Sequence, residues 1–225
     1  KKFNLIKFCM KETDKNMFRT KKIMIVLITG ASHTGKTVLA KKLLEKYVKE
    51  KKNILISGAT NTGKTTFINA LIKVIDKHER LGFIEDVREL QSEGENNIFM
   101  LTIPKVFEPK DALKSMMRYS IDRVIYGEVR GSEAFDLLNI LNTGHSGFCS
   151  VHANDARSAL DKLETLILYE RNNPLSQVIS RSFSVIVTMV MENYKRKLDS
   201  IVEIKGYKDG EYILDFKFRR EVQNE

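Results

Sequence analysis

Residues 53–67, with the sequence NILISGATNTGKTTF, contain the feature that most constrains the fold. After a short apolar run, Gly58, Gly63, Lys64 and Thr65 occupy every fixed position of the pattern G-x-x-x-x-G-K-[ST]. Two glycines let the backbone curve around a phosphate, and the following helix N-terminus adds positive potential. Because a strand-like run precedes the pattern and a helical period follows it, we predict a phosphate-binding loop rather than a glycine-rich turn with an incidental lysine.

The loop predicts a specific set of contacts with a bound nucleotide. Lys64 is expected to reach the β and γ phosphates, and the Thr65 hydroxyl is expected to bind Mg²⁺. The nucleotide-binding residues predicted from the pattern are Gly58, Ala59, Thr60, Asn61, Thr62, Gly63, Lys64, Thr65 and Thr66.

Another copy of the pattern lies earlier in the chain. In residues 22–47 it is completed by Gly30, Gly35, Lys36 and Thr37, and the two loops start only 28 residues apart. That distance holds one strand and one helix but not a whole nucleotide-binding domain. Three explanations stay open: a local duplication, a strand and helix from another P-loop protein, or a fusion of two reading frames.

We expect the later loop to be the working one, because acidic strand ends follow it. An apolar run ends in Glu85 and Asp86, and another ends in Glu128. The carboxyl ends of parallel strands form the ligand-binding edge of such a sheet. A Walker-B strand that delivers Glu128 is expected beside the strand of the phosphate loop. The rival is a small-molecule kinase that uses the loop of Lys36.

Composition indicates a globular protein of one core. The chain has 225 residues, of which 42% are hydrophobic, and its longest apolar runs are too short to span a membrane. Its basic start lacks the apolar segment and cleavage site of a signal peptide, so a cytoplasmic location is expected. Cys9 and Cys149 are isolated, which gives no metal spacing and suits a reducing compartment.

The net charge of +9 belongs to the start of the chain. Residues 1–52 hold 15 Lys and Arg against 4 Asp and Glu, whereas the remainder holds 23 against 25. Nucleic-acid binding by the core is therefore not expected.

The alternation of strand-like and helical segments predicts an α/β fold with a mostly parallel sheet flanked by helices. Two strand-like runs joined by Asp209 and Gly210 predict a C-terminal antiparallel hairpin. We divide the chain into a basic leader (1–22), an extra strand, P-loop and helix unit (23–50) and the main domain (51–225).

Four ordered segments, GATNTGKTT, FIEDVREL, RVIYGEVRGSEAFDLL and NTGHSGFCSVHAN, resemble the Walker A, Asp box, Walker B and His box of the type II/IV secretion ATPases. The sequence is most similar to the conjugative-transfer (TrbB-like) and pilus-assembly (CpaF-like) branches, over residues 52–218. The resemblance implies a RecA-like P-loop NTPase that hydrolyses ATP with Mg²⁺ to power secretion, conjugation or pilus assembly. It also implies a hexameric ring at the cytoplasmic face of the membrane, in contact with inner-membrane platform proteins.

Site roles follow from the same resemblance. It implies catalytic roles for Glu128, Glu85 and His152, and magnesium contacts for Thr65, Asp86 and Glu128. On its own, a histidine at a strand end is more often structural than catalytic.

Other polar residues of these motifs receive less specific roles. The resemblance places Glu89 near the metal. It places His152, with His145 in the same box, near the γ phosphate and the neighbouring subunit. It also offers three arginines as phosphate or intersubunit contacts: Arg118, Arg123 and Arg130.

The chain departs from the family pattern in two respects. Asn61 stands where glycine is usual, and asparagine tolerates the left-handed conformation better than other residues with a side chain. Family members also carry an N-terminal domain over the nucleotide, and we expect this chain to lack it. A nucleotide-binding module that docks on an intact ring without hydrolysing ATP is therefore an alternative.

Overall fold

The computed structural model describes the backbone of residues 35–220 and the side chains of residues 38–220. The predicted leader, the strand before the first P-loop and the Gly30 position lie outside the described residues, as do the side chains of Lys36 and Thr37.

Helices and strands alternate along most of the described chain. In order they are α1 (Gly35–Lys49), β1 (Ile54–Ser57), α2 (Lys64–Ile72), β2 (Leu81–Glu85), β3 (Ile98–Leu101), α3 (Pro109–Met116), β4 (Arg123–Tyr126), α4 (Glu133–Asn142), β5 (Ser146–Val151), α5 (Ala156–Leu168), α6 (Ser176–Ser182), β6 (Val185–Glu192), β7 (Lys195–Lys208) and β8 (Glu211–Arg219).

The eight strands form one sheet in the order β3-β2-β4-β5-β1-β6-β7-β8. Strands β1 to β6 run parallel, and β7 and β8 are antiparallel to their neighbours. At the final turn, Asp209 and Gly210 have φ angles of 54° and 85°, as a tight hairpin requires. The predicted α/β fold with a mostly parallel sheet and a C-terminal antiparallel hairpin is confirmed.

One expectation about strand order is wrong. Strand β4, which precedes Glu128, does not neighbour β1, because β5 lies between them: Phe148 pairs with Ile54 on one side and with Ile125 on the other. Gly147 permits the close contact between β4 and β5, since a Cβ atom there would lie 2.5 Å from the Val124 carbonyl oxygen. The carboxyl ends of β1 and β4 still open at the same edge.

Helices cover both faces of the sheet because successive strand residues point to opposite sides. Leu55 and Val124 pack with α3 to α6 on one face. Ile54, Ile56 and Ile125 pack with α1 and α2 on the other. Central strands are thus buried on both faces, as is typical of parallel sheets between helix layers.

Helix α1 packs in the same core as β1. Ala40, Leu44 and Val48 are buried there, and the Tyr47 hydroxyl donates a hydrogen bond of 2.6 Å to Glu203 on β7. The domain division at residue 50 stays a prediction, but the helix just before it contributes to the core of the sheet.

Arg123 does not have the role offered to it above. It is 0% exposed, and its guanidinium donates to Glu79 at 2.9 and 3.0 Å and to the Val48 carbonyl at 3.1 Å. Arg123 begins β4 and therefore lies at the amino edge of the sheet, opposite the phosphate loop. Its charge is used in a buried ion pair, so it is unavailable to phosphate or to another subunit.

The Glu203 carboxylate should make stability depend on acidic pH. Partial burial acts to raise its pKa, but hydrogen bonds from Lys205 and Tyr47 outweigh burial and lower the pKa from 4.5 to about 2. A carboxylate whose pKa is lower in the folded state stabilises the fold at every pH above its pKa in the unfolded chain. This contribution is lost as the pH falls from about 4.5 towards 2. After discounting for solvent screening, we expect Glu203 to contribute about 1 to 2 kcal/mol to the free energy of unfolding at neutral pH.

Denaturant unfolding of Glu203→Gln and of the parent between pH 7 and pH 3 tests this expectation. The difference in unfolding free energy should shrink as the pH falls. Glu211→Gln is the matched control, because the Glu211 side chain is 74% exposed. A Glu203→Gln difference that stays constant down to pH 3 contradicts the assignment.

Candidate active site

The phosphate loop follows β1 at the carboxyl edge of the sheet. Gly58 must lack a side chain, because a Cβ atom would lie 2.5 Å from the Thr62 hydroxyl oxygen and 2.6 Å from the Met189 carbonyl oxygen. Gly63 has a φ of 91° and directly precedes α2. Asn61 has a φ of 63°, so asparagine adopts the left-handed conformation expected at this position.

Lys64 folds back over the loop that precedes it. Its Nζ atom donates to the carbonyl oxygens of Gly58 at 2.8 Å and Ala59 at 3.1 Å. Burial lowers the pKa of Lys64, Arg130 adds to this effect, and the nearby negative charge of Glu128 opposes it. Thr65 lies beside Lys64 in the first turn of α2.

Arg130 joins the acidic ends of β2 and β4. Its guanidinium contacts Asp86 at 2.6 Å and Glu128 at 2.7 Å, and a second N–H reaches Glu128 at 3.0 Å. The electrostatic influence of Glu128 and Arg130 extends to Lys64. The structure therefore brings together Asp86 and Glu128, the two carboxylates predicted to bind magnesium, at the sheet edge where the later loop also lies.

Two residues that the sequence analysis missed hold the turn after β4. The buried Glu133 carboxylate accepts hydrogen bonds from the backbone N–H groups of Arg130 (2.8 Å) and Gly131 (3.0 Å). The Ser150 hydroxyl donates to the Gly127 carbonyl at 2.6 Å. The sequence does give a signal for Glu133, because an acidic residue in the first turn of a helix often binds nearby backbone N–H groups. It gives none for Ser150, which reaches the Gly127 carbonyl only because β5 pairs with β4.

Glu85 lies at the end of β2 and is 5% exposed. One carboxylate oxygen accepts hydrogen bonds from the backbone N–H groups of Glu89 (3.0 Å) and Leu90 (2.8 Å). Burial raises its pKa, and these two N–H groups partly offset the rise. Its observed contacts hold the loop after β2, and its catalytic role stays a prediction.

The two histidines of the His box lie at opposite edges of the sheet. His152 directly follows β5 at the carboxyl edge, is exposed, and lines an open hollow of about 410 Å³. His145 precedes β5, and its ring contacts the Thr143 hydroxyl at 3.3 Å. Six strand residues separate them, which is roughly 20 Å. The phosphate loop lies at the carboxyl edge of the sheet, whereas His145 lies at the amino edge. The placement of His145 near the γ phosphate is therefore wrong.

Comparisons with known proteins show the family to which the chain belongs. The family model described as Type II/IV secretion system protein matches residues 40–200. The chain belongs to this family. The conjugal transfer protein TrbB of Rhizobium radiobacter is 37% identical over 190 residues, which are 84% of this chain and 51% of TrbB. The type IV secretion system protein VirB11 of Brucella suis is 30% identical over 133 residues, which are 54% of this chain and 37% of VirB11.

Solved structures of secretion ATPases share the fold. The Brucella suis VirB11 ATPase, solved with sulphate, superposes with a TM-score of 0.68 and 24% identity over 73% of this chain and 52% of VirB11. The pilus retraction motor PilT with bound ADP superposes with a TM-score of 0.56 and 21% identity. That match covers 86% of this chain and 55% of PilT. This family member thus has the predicted RecA-like fold, and it spans about half the length of its relatives.

The donor set of this secretion-family site suits Mg²⁺. Asp86, Glu128 and the Thr65 hydroxyl offer hard oxygen ligands, and Mg²⁺ in nucleotide sites uses one or two carboxylates together with phosphates. Among residues 38–220 there is no group of three or more His, Cys, Asp or Glu that could hold a metal unaided. The described helices also include none that is long and apolar enough to cross a membrane.

Arg118 makes no observed contact with the described residues at the carboxyl edge of the sheet, where the phosphate loop lies. It is exposed and lies after α3, in the connection that enters β4 at its amino end. Of the three arginines considered, only Arg130 contacts Asp86 and Glu128 in the described structure.

Proposed function

We propose that this chain hydrolyses ATP with Mg²⁺ and serves as the motor domain of a type II/IV secretion, conjugative-transfer or pilus-assembly machine. One observation carries the proposal: Arg130 bridges Asp86 and Glu128 at the carboxyl edge of the parallel strands, which is the edge where the phosphate loop with Lys64 lies. Hydrolysis of a phosphoanhydride needs a held triphosphate and an acid that orients water, and these groups supply both.

The phosphate loop would hold the triphosphate before chemistry begins. Its successive N–H groups and the N-terminus of α2 provide fixed positive potential. Lys64 exchanges the carbonyl oxygens of Gly58 and Ala59 for the β and γ phosphate oxygens. Its lowered pKa reflects burial, which also strengthens its attraction to phosphate.

The acidic edge would prepare the attacking water. Thr65, Asp86 and Glu128 would hold Mg²⁺, which when bound offsets the charge on the β and γ oxygens. Glu128 accepts a hydrogen bond from water and aligns it with the γ phosphorus. Glu85 fixes the loop that carries Asp86 and can accept the proton of the attacking water, and His152 contacts the γ-phosphate side from β5.

We propose that the chain assembles into a hexameric ring. Exposed apolar side chains at this edge support that assembly. In the segments after β2 and β3, at the carboxyl edge of the sheet, Val87, Ile103 and Val106 expose 66%, 53% and 77% of their surfaces. Exposed apolar groups in one region are typical of protein contacts. We propose that a neighbouring subunit covers them, and that the ring binds inner-membrane platform proteins from the cytoplasmic side.

Measurement of phosphate release across a series of protein concentrations tests the function. We expect ATP-dependent release that requires Mg²⁺ and stops with a chelator, and a specific activity that rises with concentration as subunits assemble. If the protein binds ADP but releases no phosphate from ATP at any protein concentration, the result would favour a non-hydrolysing docking module. Transfer of phosphate to a small metabolite instead would favour the kinase alternative.

A further inference from the structure

The hairpin of β6 and β7 extends past the sheet edge beside the phosphate loop. Strand β6 pairs with β1 as far as Thr188, opposite Ser57, and continues to Glu192. Those four further residues reach roughly 13 Å beyond the pair. Asn193 and Tyr194 then form the turn, with φ angles of 49° and 57°. None of the four sequence motifs includes this hairpin.

The hairpin touches the loop at three places. The Met189 carbonyl oxygen backs Gly58, where an added Cβ atom would lie 2.6 Å away. The Arg196 side chain covers Gly63, where an added Cβ atom would meet Cδ at 2.8 Å. The Arg196 Nε–H also donates a hydrogen bond of 3.1 Å to the Asn61 carbonyl.

The bond to the Asn61 carbonyl matters because of how such a loop binds phosphate. The loop presents its N–H groups to the ligand, so neighbouring carbonyl groups must turn away from it. Asn61 is already held in the left-handed conformation, and Arg196 fixes the direction of its carbonyl from outside. The aliphatic part of Arg196 packs on Gly63, next to Lys64.

We propose that Arg196 is a positioning residue of the nucleotide site, which holds the phosphate loop in its binding conformation through the Asn61 carbonyl. The proposal rests on the proposed function. Arg196 acts on the loop and not on the reacting atoms, so its loss should weaken nucleotide binding and leave the chemical step nearly unchanged. Coupling is reciprocal, so a bound nucleotide should also steady the hairpin.

Replacement of Arg196 by Met, which retains an aliphatic stem without the N–H groups, is the direct test. The loss of one exposed hydrogen bond predicts that Arg196→Met binds ADP about fivefold to tenfold more weakly and has a similarly raised KM for ATP. Turnover should stay within about twofold, because Glu128 is untouched. Arg196→Lys keeps a donor and should recover part of the affinity. Lys195→Met is the matched control, since it removes an exposed positive charge from the adjacent position.

Hydrogen exchange in the parent protein provides a measurement that needs no variant. Saturating ADP should slow exchange in residues 190–197 more than at the distant turn of residues 208–211. Equal protection of the two turns, unchanged ADP affinity in Arg196→Met, or an equal loss in Lys195→Met would overturn the inference. If the parent fails to bind ADP, the proposed function falls too; if the parent binds and Arg196→Met binds equally, only the role of Arg196 falls.

Discussion

Lys64→Ala should abolish detectable ATP binding and lower hydrolysis at least about a hundredfold. Lys64 lies in the first turn of α2, directly after the phosphate loop, so we expect its ammonium group to meet the charge that develops on the transferred phosphate. The variant should fold, because removing a half-buried cation relieves the desolvation that lowers its pKa. Fluorescent-nucleotide titration and phosphate release measure the two effects.

Lys36→Ala is the matched control, because Lys36 holds the equivalent position in the first of the two patterns. We expect it to keep both nucleotide affinity and hydrolysis within about twofold of the parent. Loss of hydrolysis in Lys36→Ala with retention in Lys64→Ala would move the working site to the first loop and refute the site described above.

Local patterns predicted the parts of the fold that depend on neighbouring residues. The apolar run before Gly58 and the helical period after Lys64 correspond to β1 and α2. Acidic residues at strand ends could be placed at one edge because parallel strands share a direction. That rule and the motif resemblance together predicted that Asp86 and Glu128 meet, and Arg130 bridges them.

Long-range pairing decided what the sequence could not show. Nothing local indicates that β5 separates β4 from β1, or that Arg123 is buried against Glu79, 44 residues away. Motif likeness also grouped His145 with His152, although a whole strand separates them. Arg196 lies 135 residues from Asn61 in the chain, so only the folded sheet reveals their contact.

Two local contacts and one long-range contact have a common effect on the site. Glu133 fixes the turn after β4, Glu85 fixes the loop after β2, and Arg196 contacts the loop after β1. Each group binds backbone atoms close to a predicted active-site side chain. The geometry of the site thus depends on hydrogen bonds to the backbone of the loops, which is how preorganised electrostatic sites are built.

Glu128→Gln should retain ATP binding and lower turnover by about a hundredfold to a thousandfold. Glutamine keeps the shape of the side chain but cannot orient water as an ion does. It also removes a negative charge near the phosphates and one partner of Arg130, so ATP affinity should be equal to that of the parent or higher. The expected signature is a fall in kcat without a rise in the dissociation constant.

Phosphate release and nucleotide titration on the same preparation separate these two quantities. Glu95→Gln, an exposed carboxylate in the loop between β2 and β3, is the control and should behave as the parent does. Parent-like turnover in Glu128→Gln would show that another group orients the water, and Glu85, with its raised pKa and buried carboxylate, would become the first residue to test. Loss of binding together with turnover would instead assign Glu128 to holding the nucleotide, because a group needed only in the transition state leaves ground-state affinity intact.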